Sequence, residues 1–130
     1  MTLPIAVQAF LDAVHQRDAT AAAECFTRDG EYYFAVPQEP ARGRAAIADT
    51  FMKILGASDK VQWDIVTATV DGRRVWLERV DRFWFSGREV PIECVGVVEL
   101  DVDGSIAVVR DYCDMSVWRA RREAAAELVG

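Results

Sequence analysis

The sequence predicts a single α+β domain over residues 1–130, in which three N-terminal helices pack on a strongly curved, mainly antiparallel sheet and a short helix ends the chain. The chain has 130 residues, a length typical of one domain. Apolar residues recur with a helical period in its first half and with a period of two from about Lys60 onward. About half of the residues (52%) are hydrophobic, which is enough for a core and for a cone-shaped cavity between helices and sheet.

The first half contains the signals of three helices and one short strand. Pro4 suits the first turn of a helix, and Asp18 is a typical N-cap for a second one. Asp29 and Gly30 lie beyond the end of this second helix, and Gly43 leads into the third. The predicted elements are helices over residues 5–14, 19–26 and 44–55 and an aromatic strand over residues 31–36.

The second half predicts a meander of four long strands. Three pairs of residues that favour tight turns, Asp71-Gly72, Ser86-Gly87 and Asp103-Gly104, separate its alternating segments. The predicted strands cover residues 61–70, 75–85, 90–100 and 105–113, and a last helix begins near Asp114 or Ser116. Because the helices cover only one face of this sheet, we expect the other face to form a homodimer.

Charge and hydropathy narrow the range of partners. The formal net charge is −6, and an acidic surface repels the phosphates of nucleic acids. No apolar segment approaches the roughly 20 residues of a membrane-spanning helix. We therefore expect neither a nucleic acid nor a membrane as a partner.

The cysteine and histidine content restricts the possible chemistry. Cys25, Cys94 and Cys113 are too scattered for a C-x-x-C site, and their odd number without a signal peptide predicts reduced thiols in a cytoplasmic protein. The single histidine, His15, lies beside the apolar stripe of the first helix, where a structural role is expected. Chemistry in this domain must therefore rest on carboxylates, arginine or tyrosine, and we expect no metal and no cofactor.

Two charged residues stand on the apolar face of the predicted strand 75–85. Alternation places on one face Val75, Leu77, Arg79, Asp81, Phe83 and Phe85. Burying a charge is costly unless a partner neutralises it and hydrogen bonds satisfy it. Arg79 and Asp81 are next neighbours on this face, and they form either a structural ion pair or part of a functional site.

A second acidic residue, Asp111, lies on the predicted strand 105–113. Both faces of this strand carry apolar and polar residues, so alternation alone leaves its inward face open. If Asp111 points inward, the planar guanidinium of Arg79 can bridge Asp81 and Asp111 with bidentate hydrogen bonds.

These segments resemble the limonene-1,2-epoxide hydrolase family, within the SnoaL-like group of the NTF2-like cone fold. The similar segments are ERVDRF (78–83), GVVEL (96–100), VVRDYCD (108–114) and YYFAVPQEPARGRAAI (32–47). The family has R-V-D on one strand and W-R-D-Y-F-D on a later strand, and this pairing is more specific than R-D-Y-x-D alone. The resemblance implies a cofactor-independent epoxide hydrolase that adds water in one step and forms a homodimer.

The resemblance also implies a role for each polar residue. Asp111 would be the base, Asp81 the acid, and Arg79 the bridge that orients both. Tyr33 corresponds to the family's water-positioning tyrosine, and Ala35 stands where the family has asparagine. The substrate would be a hydrophobic epoxide. The expected cavity lining consists of Trp63, Leu77 and Phe83, with Ile65, Ile92 and Val97.

Two other functions are compatible with the same residues. An enzyme of the ketosteroid isomerase or polyketide cyclase type would use one aspartate as a base and Tyr33 or a protonated aspartate as an oxyanion donor. Arg79 argues against this alternative, because a guanidinium keeps a neighbouring acid ionised. A non-catalytic small-molecule-binding dimer is the second alternative, and the absence of the asparagine favours it. The fold alone does not choose among these functions.

Overall fold

The computed structural model describes residues 2–129 and confirms the predicted α+β architecture. The helices are α1 (Ile5–His15), α2 (Ala19–Glu24), α3 (Arg44–Gly56) and α4 (Met115–Val129). The strands are β1 (Phe26–Tyr33), β2 (Ala41–Arg42), β3 (Lys60–Asp71), β4 (Arg74–Phe85), β5 (Arg88–Leu100) and β6 (Ile106–Tyr112). They form one sheet with the order β2-β1-β6-β5-β4-β3, in which β1 and β6 are parallel and the other neighbours antiparallel.

The start of the sheet differs from the sequence prediction. The second helix ends at Glu24 and not at residue 26, and β1 covers Phe26–Tyr33 in place of residues 31–36. Asp29-Gly30 is therefore part of a strand, where the pairing with β6 shifts register between Phe26 and Glu31. A Cβ atom at Gly30 would lie 2.9 Å from the Cβ atom of Phe26, so the glycine permits this irregularity. The two-residue strand β2 was not predicted.

Burial alternates along β4 as the sequence predicts. The buried residues are Val75, Leu77, Arg79, Asp81, Phe83 and Phe85, and the intervening ones are partly or fully exposed. The helices cover this inner face of the sheet, where Phe10 of α1 makes edge-to-face contacts with Phe26, Phe51 and Trp63 at centroid distances of 5.5–6.2 Å. The polar residues of β4 thus lie inside the domain.

His15 joins α1 to the sheet. Its Nε2 atom lies 3.0 Å from the backbone nitrogen of Trp63, a contact that fits the expected structural role. None of the helices in residues 2–129 has both the length and the hydropathy needed to span a membrane.

Candidate active site

The guanidinium of Arg79 joins two buried carboxylates, and the three side chains are called the polar centre below. Arg79 Nε and Nη2 donate to Asp81 Oδ1 and Oδ2, each over 2.9 Å. Nη1 and Nη2 donate to Asp111 Oδ1 and Oδ2 over 3.1 and 3.0 Å. Arg79, Asp81 and Asp111 are only 1, 5 and 2% exposed. The structure resolves the inward face of β6, and it brings together the three residues that the sequence singled out.

A glycine of the intervening strand makes room for this arrangement. Gly96 of β5 pairs with Leu77 of β4 on one side and with Asp111 of β6 on the other. A Cβ atom at Gly96 would lie 2.6 Å from Arg79 Nη1 and 2.8 Å from Asp111 Oδ1, which is closer than real Cβ atoms approach. Sequence reasoning missed this residue, although a glycine inside a strand is a known signal of close approach.

Two further side chains flank the guanidinium. The centroid of the Trp63 ring lies 4.4 Å from Arg79 Cζ, in the geometry of a cation–π contact. The Sγ atom of Cys94 lies 3.1 Å from Arg79 Nη2. Water is thereby excluded from the cation, and its electrostatic effect on the two acids is strengthened.

The polar centre contains one cation and two acids. If both acids are ionised, it carries a net charge of −1, which burial disfavours. Burial raises the pKa of Asp81 to about 6, although the charge and hydrogen bonds of Arg79 oppose that shift. Burial lowers the pKa of Arg79, but the negative charges of Asp111 and Asp81 have a larger, opposite effect and keep this pKa well above its ordinary value. The centre therefore holds an exchangeable proton on Asp81 near pH 6.

The expectation for Tyr33 is wrong by one residue. Tyr32 is the buried tyrosine, and its hydroxyl donates to Asp111 Oδ2 over 3.4 Å. The Tyr33 ring lies on the other side of β1, with Arg110 Cζ 5.7 Å from its centroid. Burial and the charge of Asp111 raise the pKa of Tyr32, so this hydroxyl keeps its proton. The residue two positions after Tyr32 is Phe34, which lines the cavity. Ala35, two positions after Tyr33, does not line it.

An apolar cavity of about 570 Å³ adjoins the polar centre. Of the expected lining residues, Trp63, Phe83 and Ile92 contribute to its wall. Leu77 does not, because it is fully buried in the core, and Ile65 and Val97 do not line the cavity either. Val97 faces the opposite side of β5, since its neighbours Gly96 and Val98 are the buried positions.

The last helix closes a further side of the cavity, which sequence reasoning missed. Met115, Trp118 and Arg122 of α4 line it. Trp118 packs edge to face on Phe83 with 5.0 Å between the ring centroids. The wall is completed by Phe34, Thr50, Lys53, Ile54, Ala57, Phe85, Cys94 and Cys113. Within residues 2–129, His, Cys, Asp and Glu side chains form no group of three that could hold a metal ion.

Comparison with known proteins identifies the family of this chain. Residues 7–109 match the SnoaL-like domain. The chain belongs to the SnoaL-like family. This assignment agrees with the NTF2-like fold of the structure, and it leaves the activity open because SnoaL-like proteins share a fold and not one reaction.

Several solved structures have the same fold. An LEH-like epoxide hydrolase of M. tuberculosis is 28% identical, with a TM-score of 0.78 over 97% of this chain and 94% of that one. A protein of Catenulispora acidiphila with a ketosteroid-isomerase-like fold is 22% identical, with a TM-score of 0.80 over 92% and 93%. SalBIII, an epoxide hydrolase/cyclase-like enzyme, is 24% identical, with a TM-score of 0.72 over 85% and 89%. A search of curated proteins finds no match.

Proposed function

We propose that this SnoaL-like protein is a cofactor-independent epoxide hydrolase that converts a hydrophobic epoxide into a vicinal diol. The observation that carries the proposal is the polar centre itself, in which Nη2 of one buried arginine binds both carboxylates beside an apolar cavity. The 28% identity to an epoxide hydrolase of M. tuberculosis supports the same reaction class.

Asp111 is the proposed base. Its Oδ2 atom accepts a hydrogen bond from the Tyr32 hydroxyl, and both groups reach the cavity. A water molecule that replaces this long contact would donate one proton to Asp111 and accept a hydrogen bond from Tyr32. As its oxygen attacks an epoxide carbon, the carboxylate takes the proton, which is general base catalysis.

Asp81 is the proposed acid. Its pKa of about 6 lets it carry a proton near neutral pH, whereas an ordinary aspartic acid has lost it. The Asp81 proton passes to the epoxide oxygen while the C–O bond to the attacked carbon breaks. Attack and protonation in one step avoid a free alkoxide in an apolar site.

The roles of the two acids reverse after each turnover. Asp111 then holds the proton and Asp81 is ionised, so one proton must move between them before the next substrate reacts. Both acids accept a hydrogen bond from the same nitrogen of Arg79, Nη2, which keeps them close enough for one water molecule to relay that proton. Arg79 itself stays charged throughout, because its pKa is held well above the ordinary value.

The cavity favours a lipophilic substrate. Its volume of about 570 Å³ lies within the range of small-molecule sites, and aromatic and aliphatic side chains form most of its wall. Lys53 and Arg122 are the cations of this wall, whereas the two acids lie at its polar end. A hydrophobic epoxide would thus be oriented with its reacting ring toward the acids.

We also propose a homodimer formed through the outer face of the sheet. Val95 of β5 and Tyr112 of β6 are register partners on that face and are 40 and 47% exposed. Such an apolar patch on an open sheet favours contact with a second copy. Light scattering of the purified protein would give twice the chain mass, and a monomeric mass at all concentrations would contradict the dimer.

The hydrolase proposal is tested with a panel of lipophilic epoxides in ¹⁸O-labelled water. A diol with one labelled oxygen is expected, and Asp111→Asn should lower kcat by about 10²–10⁴-fold because the base is lost. Asp71→Asn, at the exposed end of β3, is the matched control and should keep full activity. Full activity of Asp111→Asn, or no turnover of any epoxide, would refute the proposal.

One observation favours the isomerase alternative as a second candidate. Tyr32 is buried, retains its proton and reaches the cavity, so it could donate to an oxyanion while an aspartate removes a proton next to a carbonyl. Such an enzyme would exchange the α-protons of a bound ketone with deuterated water. Exchange without epoxide turnover would replace the hydrolase proposal with this one.

A further inference from the structure

Two cysteines beside the polar centre have no part in the proposed reaction. The β5–β6 pairing runs through Gly96 with Asp111 and Val95 with Tyr112, so the next opposed pair is Cys94 with Cys113, just beyond the end of β6. Both side chains line the cavity, and both are free thiols. Extension of this register by one residue places the two thiols opposite each other, with Cys94 on the inner face of β5 and Cys113 directly after the last residue of β6.

This position suits a disulfide. Directly opposed residues of antiparallel strands have Cα atoms about 4.5–5.5 Å apart. Cα atoms joined by a disulfide are usually about 4.4–6.8 Å apart, so a bridge here needs little backbone movement. We propose that Cys94 and Cys113 are a redox modification site, in which a hydroperoxide converts the two thiols into a reversible disulfide inside the cavity.

The two thiols differ in reactivity. Interaction between them raises the pKa of Cys94 and lowers that of Cys113. Cys113 is only half-buried, while Cys94 is 5% exposed. Cys113 is thus the thiol that a peroxide reaches first and the one that forms a thiolate more readily.

The reaction has two balanced steps. The Cys113 thiolate attacks one oxygen of the hydroperoxide, the O–O bond breaks, and the other oxygen leaves as an alcohol or water after taking a proton. Cys113 is then a sulfenic acid. The Cys94 sulfur attacks the Cys113 sulfur, the S–O bond breaks, and water leaves with the Cys94 proton. The peroxide is reduced by two electrons, and the two thiols are oxidised by two.

The bridge would act on the polar centre. The Cys94 Sγ atom accepts a hydrogen bond from Arg79 Nη2 over 3.1 Å, and forming the bridge would turn this atom toward Cys113. The oxidised protein should therefore lose hydrolase activity until a dithiol reduces it. This consequence rests on the proposed function, whereas the disulfide itself does not.

The experiment titrates the intact protein with hydrogen peroxide and counts thiols after unfolding. The chain has three cysteines, so reduced protein gives three thiols and oxidised protein should give one, with a mass lower by two hydrogens. Peptide mapping should find a Cys94–Cys113 link that dithiothreitol removes. Cys25→Ser is the matched control, because it lies outside the cavity and should leave bridge formation and activity unchanged.

Two variants separate the steps. In Cys94→Ser the sulfenic acid of Cys113 cannot be resolved, so it should be trapped by dimedone; Cys113→Ser should show neither trapping nor a bridge. Retention of three thiols in the wild type, or a bridge that involves Cys25, would overturn the proposal. Absence of any epoxide turnover would leave the thiol count as expected, so the two proposals fail separately.

Discussion

Replacing Arg79 with methionine tests whether one cation holds the polar centre together. Methionine keeps a long side chain that can fill the same space, and it removes the charge and all four hydrogen bonds to the carboxylates. The variant leaves Asp81 and Asp111 buried without a counter-ion. Removal of one partner from a buried ion pair typically costs about 3–5 kcal/mol, and we expect a loss of this size at pH 8.

The loss should depend on pH, because the two acids can escape it by binding protons. Without Arg79, the folded variant holds protons to a higher pH than the wild type, in which the pKa of Asp81 is about 6. Each extra proton held by the folded state makes stability fall by about 1.4 kcal/mol per pH unit as the pH rises. The destabilisation caused by Arg79→Met should therefore be smaller at pH 6 than at pH 8.

Urea unfolding followed by tryptophan fluorescence measures both effects. The protein concentration is held constant, since a dimer would make the apparent stability depend on it. Arg82→Met is the control on the opposite face of the same strand, where Arg82 pairs with Asp64 and Glu89 and its side chain is 34% exposed. Such surface pairs contribute about 0–1 kcal/mol. Equal losses in both variants, or a loss for Arg79→Met that is independent of pH, would refute the reasoning.

Three further predictions follow from single contacts of the site. Because Asp81 must carry its proton to act as the acid, kcat/KM should fall up to tenfold per pH unit above about pH 6, and a flat pH–rate profile would contradict that role. Tyr32→Phe removes a long hydrogen bond and should lower kcat by about tenfold or less, whereas Tyr33→Phe should leave steady-state kinetics unchanged; equal effects would reject the assignment. Gly96→Ala forces a Cβ atom to within 2.6 Å of Arg79 and should cost about 1–3 kcal/mol in urea unfolding, so wild-type stability would show that the guanidinium can move aside.

The position of Arg79 and Asp81 could be predicted because alternation leaves only one choice along a regular strand. Four large apolar side chains decide which face of β4 is buried, and the charged residues between them follow. On β6, Asp111 has no comparable row of large apolar side chains on its own face. Its orientation depends on pairing with Gly96 of β5, which is a contact between distant parts of the sequence.

The predictions that failed concern features that tertiary structure determines. Asp29-Gly30 has the composition of a turn, but in the sheet it forms an irregularity of β1, so this strand begins at Phe26 and not at residue 31. Leu77 shares the face of Arg79, yet the core covers it completely, and parity does not distinguish core from cavity. The contribution of Trp118 depends on where α4 docks, which its own sequence does not determine.

The polar centre has two acids for one cation, and this ratio bears on whether its role is structural or functional. A buried pair that only closes a core is best satisfied as one acid with one base, because a neutral pair leaves no charge to be compensated. Here Arg79 faces two acids, so full ionisation leaves one negative charge without a partner among the three side chains. A proton on Asp81 removes that charge, and the pKa of about 6 means that this proton is exchangeable near neutral pH. Since the adjoining cavity gives a small molecule access to the same acid, the feature that is unfavourable for stability is the one that acid–base chemistry requires.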